Sequence, residues 1–156
     1  MGLITDDMKR IVESTRLAFV ATVNPDGTPN LSPKSSLAVL GEDRIGFADI
    51  ASPNTVRNLG ANPAIEVNAI DIFMRRGYRF RGTATLEPPG SAVYERIAEP
   101  FWAENGRSFP IHGVVNIAVE KALPVLSPAY TFIDGVTEDA LREAYYAKYG
   151  VRPAES

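Results

Sequence analysis

The fold is decided by residues 24–63, which read NPDGTPNLSPKSSLAVLGEDRIGFADIASPNTVRNLGANP. Turn signals at Asp26-Gly27 and at 41–43 divide this stretch and the apolar run before it into β-rich segments. These segments predict three strands, at 17–23, 30–40 and 44–50. Pro33 places the second strand at a sheet edge or a bulge, because proline has no N–H to donate to a ladder. Two successive hairpins are therefore expected.

The rest of the chain adds further strands and helices without any sign of a second domain. Strand patterns continue at 64–70, 78–86 and 113–126, and helices are predicted at 5–15, 53–61, 91–105 and 137–149. Pro100 predicts a kink or an early end in the third helix. No repeat or linker composition appears, so residues 1–156 are expected to form one domain. The expected class is mainly β or α+β, with about six strands in a small barrel or sheet and helices at its flanks.

The composition narrows the possible partners. The chain has 156 residues, 45% of them hydrophobic, and a formal net charge of -3, which argues against disorder and against broad nucleic-acid binding. Cysteine is absent, which suits a reducing cytoplasm and excludes thiolate sites. The N-terminal MGLITDDMKR has no apolar signal-peptide core, and no apolar run reaches the roughly 18 residues of a membrane helix. A soluble cytoplasmic protein that binds no membrane is expected.

Several common catalytic patterns are missing. The sequence has no GxGxxG, and its two Gly-x4-Gly spacings lack the Lys-Ser or Lys-Thr of a phosphate loop. His112 is the only histidine, which excludes two-histidine metal motifs. We interpret it as a turn or packing residue, with a catalytic role as the alternative. No metal site and no catalytic residue is predicted.

The start of the helix at 53–61 has an unusual composition. Helix N-termini favour Asp or Glu, yet this first turn carries none. Ser52 is the expected N-cap, with its hydroxyl accepting from the amide of Asn54 or Thr55, and Pro53 suits the first helical position. The first turns also carry polar side chains, those of Thr55, Arg57 and Asn58. Together with the free amides, they favour an external anion such as a phosphate monoester. The alternative is an ordinary capped surface helix.

Lys34 supports the anion hypothesis. A lysine in mid-strand is unusual except at an exposed edge, where it prevents aggregation, and that role is the alternative here. If 30–40 and 44–50 form a hairpin, Lys34 lies at the end away from the turn, where Asp49 and Ser52 leave the second strand. The hairpin thus brings an ammonium group to the helix start.

This stretch, followed by RRGYRFRGTATL at 75–86, resembles the pyridoxamine 5'-phosphate oxidase-like FMN-binding split barrels. The resemblance covers roughly residues 5–123 and rests on the order of its parts: hairpin, Pro-Lys strand, Ser-x-x-Thr helix, Asn-Pro and Gly-Thr-Ala strand. It implies a six-stranded antiparallel split β-barrel with flanking helices. It also implies a homodimer that holds FMN at the subunit interface.

The resemblance also implies the cofactor contacts. The phosphate contacts fall on Lys34, Ser52, Thr55 and Asn58. Asn54 stands where many relatives carry a lysine, and Arg57 is expected to compensate. The flavin-ring contacts would come from the backbone around Pro33, Lys34, Ser35 and Ser36, and from Ala48 and Asp49.

Four arginines, Arg75, Arg76, Arg79 and Arg81, lie close together in the chain. They predict either a basic wall near the cofactor, with Arg76 as its main contributor, or a solvated face with ion pairs to acids such as Glu66. Trp102, with Phe101 and Phe109, would either cover the flavin or belong to the core, and core is favoured. The loop at 127–130 carries no firm assignment.

The implied function is an FMN-dependent oxidoreductase acting on an unidentified small molecule. The arginine and histidine segment that ends pyridoxamine phosphate oxidases is not recognisable here, so pyridoxamine phosphate is not expected as the substrate. One alternative is a flavin-binding protein without turnover, acting as a carrier or sensor. Another is a reductase that uses the deazaflavin F420. Haem, which other members of the family bind, is less expected with a single histidine.

Overall fold

The computed structural model describes residues 2–154, and within them the chain forms seven strands and five helices. The strands are Ala18–Val23 (β1), Pro29–Lys34 (β2), Ala38–Val39 (β3), Arg44–Asp49 (β4), Ala64–Asp71 (β5), Arg76–Glu87 (β6) and Gly113–Leu126 (β7). The helices are Asp6–Ser14 (α1), Pro53–Ala61 (α2), Ala92–Asn105 (α3), Ala129–Phe132 (α4) and Glu138–Tyr149 (α5). No helix in this part of the chain is long and apolar enough to cross a bilayer.

The strands form one sheet in the order β2-β1-β5-β6-β7-β4-β3. Every neighbouring pair is antiparallel, and the sheet curls into a half-barrel with helices at its flanks. β2 is an edge strand, as the position of Pro33 predicts. The expected antiparallel split barrel is confirmed, with seven strands in place of six.

The additional strand arises because the predicted strand 30–40 is divided. β2 ends at Lys34 and pairs with β1, whereas only Ala38 and Val39 pair with β4. The predicted hairpin between 30–40 and 44–50 is therefore wrong for its first half. If the β3–β4 register continued, residue 36 would face Ala48. Instead, the Ser36 hydroxyl accepts the hydrogen bond from the Ala48 amide at 2.9 Å, so a side chain replaces a strand partner.

The predicted helices are present. Thr5 caps α1 by accepting from the Met8 amide at 3.3 Å. Pro100 lies inside α3, which continues to Asn105, so the prediction of an early end is wrong. The loop predicted at 127–130 is partly helical and leads into α5. Within α4, the Tyr130 hydroxyl donates to the Met74 carbonyl at 2.6 Å.

Two apolar clusters support this arrangement. The larger fills the barrel and includes Val20, Phe47 and Phe80, all fully buried. The smaller lies between the sheet and α3 and includes Tyr94 and Ile97. α3 therefore packs outside the barrel, against β4 and β7. The ends of β2 and β4 enclose a gap with the C-terminal half of α3, and the candidate site lies in that gap.

Candidate functional site

Lys34 lies at the end of β2, beside the gap in the barrel. Its side chain points inward and is only 6% exposed. The Nζ atom donates to the Ser32 hydroxyl at 2.5 Å and to the Pro33 carbonyl at 2.9 Å, and it lies 5.6 Å from the centre of the Phe47 ring. Among the described residues it forms no salt bridge. Lys34 is thus a buried positive charge with only neutral direct partners, so the alternative interpretation, an exposed edge lysine, is wrong.

Burial shifts the protonation equilibrium of this amine. Desolvation lowers the pKa of Lys34, and the negative charge of Asp49 partly opposes that shift. A buried ammonium without a bonded acid is costly, and Asp49, which forms no salt bridge with Lys34, offsets only part of that cost. An anion entering the gap would offset the rest of it.

α2 begins next to this lysine with unused hydrogen-bond donors. The first helical bond runs from the Val56 amide to the Ser52 carbonyl at 3.1 Å, so the amides of Asn54 and Thr55 have no helical acceptor. Ser52 makes no side-chain capping bond, and the first turn contains no acid. The predicted cap bond is therefore wrong, because Ser52 has φ −128° and ψ 50° and not the extended conformation of a normal N-cap. Donors are left free for a ligand.

A cleft of ≈ 350 Å³ joins the two features. Its walls come from the end of β2, the segment after it, the end of β4 and the first residue before α2. Opposite them stand Phe101 and Phe109, whose ring centroids lie 5.7 Å apart in an edge-to-face pair. Of the residues predicted from the sequence, the cleft brings together Pro33, Lys34, Ser35, Ser36, Ala48 and Ser52.

Two predicted phosphate contacts turn away from the cleft. Thr55 and Asn58 are each 1% exposed and face the barrel. The Asn58 amide group donates to Thr22 at 3.1 Å and to Asn24 at 2.8 Å, and Asn30 donates to the Thr55 hydroxyl at 3.4 Å. These side chains fix α2 onto the β1–β2 hairpin, so neither of them lines the cleft. The helical spacing of 55, 58 and 59 on one buried face is the signal that sequence reasoning missed.

The remaining predicted residues lie outside this cleft. Arg57 donates to the Asn54 side chain at 2.8 Å on the exposed surface of α2. Arg76 is held by Asp7 and by Glu138, with nitrogen–oxygen distances of 2.8 and 2.5 Å.

Of the other arginines, Arg81 pairs with Glu66 at 2.9 Å, as the ion-pair interpretation expects. Among the aromatic residues, Trp102 packs on Tyr94 and Arg107 rather than in the cleft. Asp49 and His112 line a separate, apolar pocket.

The sequence and the structure of this chain are similar to those of known proteins. A model of the pyridoxamine 5'-phosphate oxidase family matches residues 4–126. The HupZ protein of group A Streptococcus is 32% identical, with a TM-score of 0.69 over 80% of this chain and 96% of that one.

More distant structures share the fold. An FMN-binding protein of Syntrophomonas wolfei has a TM-score of 0.71 at 17% identity, over 80% of this chain and 87% of that one. A protein described as an F420 reductase has a TM-score of 0.58 at 20% identity, over 77% of this chain and 98% of that one.

A curated relative, an uncharacterized protein of Methanocaldococcus jannaschii, is 28% identical over 98 residues, which are 62% of this chain and 63% of that relative's length. The family match extends from the start of α1 to the end of β7 and leaves only α4 and α5 outside it. The chain therefore belongs to the pyridoxamine 5'-phosphate oxidase family.

Proposed function

We propose that the cleft binds FMN and that the protein is an FMN-dependent oxidoreductase acting on a small molecule. One observation carries the proposal: the buried Lys34 ammonium, with no acid bound to it, lies in the same cleft as the residue that opens α2. A phosphate dianion at that position satisfies both the ammonium and the unused amides.

The residues of the cleft fit the phosphate ester of an aromatic compound better than they fit inorganic phosphate. The phosphate would be held by Lys34, the Ser52 hydroxyl and the main-chain amides of Asn54 and Thr55. Arg57 would approach from the exposed side once it leaves Asn54. Phe101 and Phe109 offer an apolar wall on the other side, which suits a planar ring. FMN combines these two chemical features.

The cleft provides binding and orientation rather than acid–base chemistry. Its lining contains no histidine, aspartate or glutamate, and Lys34 is its one ionisable side chain. When bound, FMN itself supplies the capacity to accept and release electrons. The chain contributes a positive charge and fixed amides at the phosphate, and it shields the ring from water.

The homodimer also belongs to this proposal. The outer face of β1 and β2 is apolar and uncovered by any helix, with Phe19 43% and Leu31 66% exposed. Phe19 lies opposite Pro33 and Ala21 opposite Leu31 in the register of these strands, so the apolar groups are contiguous. A second copy on this face would bury them beside the cleft.

The same lining favours a second candidate, a flavin-binding protein without turnover. A site that lacks an acid or base other than Lys34 fits a carrier or sensor as well as an enzyme. The family fold also accommodates F420, as the similar F420 reductase illustrates. The identity of the bound chromophore separates FMN from F420, and its reduction separates an enzyme from a binder.

The experiment begins with the visible spectrum of freshly purified protein. Denaturation should release FMN, identified by chromatography and mass. Bound FMN should then be bleached by NADH or NADPH without oxygen and should regain its absorbance in air. Bound FMN that no plausible donor reduces would leave the passive binder as the function. A protein that retains no flavin after incubation with excess FMN would refute both.

A further inference from the structure

A second pocket, of ≈ 430 Å³, lies on the other side of the end of β4 from the FMN cleft. We call it the β6–β7 pocket, because most of its wall comes from the end of β6, the residues after it and the start of β7. Asp49 lines this pocket, whereas its neighbours Ala48 and Ile50 line the cleft. The two sites share no lining residue, although the charge of Asp49 acts on Lys34.

The wall of the β6–β7 pocket is mostly apolar. Val56 from α2, Leu86 from β6 and Val114 from β7 line it, together with Pro88 and Pro89. Leu86 is 41% exposed, although its cross-strand partner Val115 is fully buried. This volume and character are those of small-molecule sites, which combine apolar walls with a few polar groups.

The polar groups of the pocket are chiefly acidic. The Oδ1 atom of Asp49 is buried and has no hydrogen-bond partner, and Asp49 forms no salt bridge among the described residues. Glu87 also lines the pocket and accepts one bond, from the Asn116 side chain at 2.9 Å. His112 is the one lining side chain that can become cationic, and it is exposed. The pocket therefore has two carboxylates, and neither forms a salt bridge with the described residues.

We propose that the β6–β7 pocket binds an apolar amine in its ammonium form. An ammonium group carries three donors, enough to bond the other, accessible carboxylate oxygen of Asp49 and a free lone pair of Glu87. Because Oδ1 makes no hydrogen bond inside the protein, this carboxylate is poorly stabilised, and a charge-assisted bond to its accessible oxygen compensates for that. The hydrocarbon part of the amine packs against Val56, Leu86 and Val114.

Calorimetric titration of flavin-free protein with three matched probes tests this proposal. The probes are 4-phenylbutylamine, 4-phenylbutan-1-ol and 4-phenylbutyrate, which share a hydrocarbon body and differ in the charge of the head group. We expect the amine to bind at least tenfold more tightly than the alcohol, and the carboxylate not to bind. Equal affinity of amine and alcohol, or no binding of the amine, would overturn the proposal.

Variants locate the binding. Asp49→Asn should weaken amine binding at least tenfold, whereas Asp43→Asn, the same change on an exposed residue just before β4, should leave it unchanged. An unchanged affinity in Asp49→Asn would contradict the assignment. Should Asp49→Asn fail to fold by circular dichroism, Val56→Trp fills the pocket from α2 and should abolish amine binding; retained binding there would overturn the proposal as well.

The result is separable from the FMN proposal. Lys34→Ala removes the ammonium of the cleft but no group that lines the β6–β7 pocket. Because it also removes a positive charge that interacts with Asp49, the amine should bind at least as tightly as it binds the wild type. Loss of FMN binding with retained amine binding would place any failure in the cleft alone. Loss of amine selectivity with retained FMN binding would place it in the β6–β7 pocket alone.

Discussion

Lys34 and Arg76 are both cations that the sequence offers as cofactor contacts, and their surroundings are opposite. The Arg76 guanidinium is bonded to two acids, Asp7 at 2.8 Å and Glu138 at 2.5 Å. Lys34 contacts only a hydroxyl, a carbonyl and an aromatic ring. The hydrogen bond with Asp7 raises the pKa of Arg76, whereas burial lowers that of Lys34.

This difference separates a structural charge from a binding charge. Arg76 connects β6 to α1 through Asp7 and to α5 through Glu138, so its charge is already neutralised by the chain. The charge of Lys34 lacks a direct counter-ion and lies in a cleft. A buried cation without an acid is costly to the folded chain unless a ligand supplies the negative charge. Lys34, and not Arg76, is therefore the cation to test for cofactor binding.

The largest expected effect is that of Lys34→Ala on FMN affinity. Removing a charge-assisted bond should cost about 1.5–3 kcal/mol, or roughly 10–150-fold in Kd. Quenching of flavin fluorescence during titration measures it. Lys121→Ala, at an exposed lysine of β7, is the matched control and should bind FMN like the wild type. An unaltered Kd in Lys34→Ala would show that Lys34 is not a binding charge and would contradict its contrast with Arg76.

In contrast to Lys34→Ala, Arg76→Met should lower the stability of the fold and leave FMN affinity nearly unchanged. The aliphatic part of the side chain is kept, but the carboxylates of Asp7 and Glu138 lose this cation, so we expect the free energy of unfolding to fall by about 2 kcal/mol. Asp7 keeps the bonds from Arg10 and Tyr78. Because both carboxylates are partly exposed, water limits the loss. Urea denaturation measures this change. FMN affinity should stay within twofold, and a tenfold loss would make Arg76 a binding residue.

Acid should weaken the Arg76 cluster in a defined direction. The hydrogen bonds from Arg76, and next from Tyr78, lower the pKa of Asp7 in the folded chain. The stability that Asp7 contributes is therefore present above its unfolded pKa of about 4 and is lost as the pH falls toward the lower folded pKa. The stability difference between wild type and Asp7→Asn, on the order of 1 kcal/mol near pH 6, should shrink as the pH is lowered to 2.5. A difference that does not change with pH would exclude this role.

The smallest expected effect comes from comparing two serines that precede helices. Ser91 caps α3 by accepting from the Tyr94 amide at 3.1 Å, whereas Ser52 makes no such bond. Ser91→Ala should therefore reduce stability by about 1 kcal/mol, and Ser52→Ala by less than about 0.5 kcal/mol. Thermal unfolding measures both. If Ser52→Ala were as destabilising as Ser91→Ala, its hydroxyl would serve the helix and not a ligand.

Local sequence rules predicted much of the fold. The Asp26-Gly27 turn, the edge position of Pro33 and the caps of Thr5 and Thr137 follow from chemistry within a few residues. The division of strand 30–40 did not follow. It depends on the Ser36 hydroxyl replacing a backbone partner of Ala48, a contact between segments that no local propensity shows.

The candidate site was predictable in its parts but not in their orientation. The acid-free start of α2 and the presence of Lys34 were visible in the sequence, and the structure brings Lys34 and Ser52 into one cleft. The route differs from the expected hairpin, because the curl of the sheet and not a shared ladder brings β2 to β4. The inward orientation of Thr55 and Asn58, and the two acids around Arg76, depend on distant packing partners.

Comparing FMN with riboflavin tests the central claim most directly, because the two differ only in the phosphate. Fluorescence titration of both ligands should be done on the wild type and on Lys34→Ala. We predict that the wild type binds FMN at least roughly tenfold more tightly than riboflavin, since charge-assisted bonds to the phosphate contribute about 1.5–3 kcal/mol each, and that Lys34→Ala loses most of that preference. Equal affinities in the wild type, or an unchanged preference in the variant, would contradict the account.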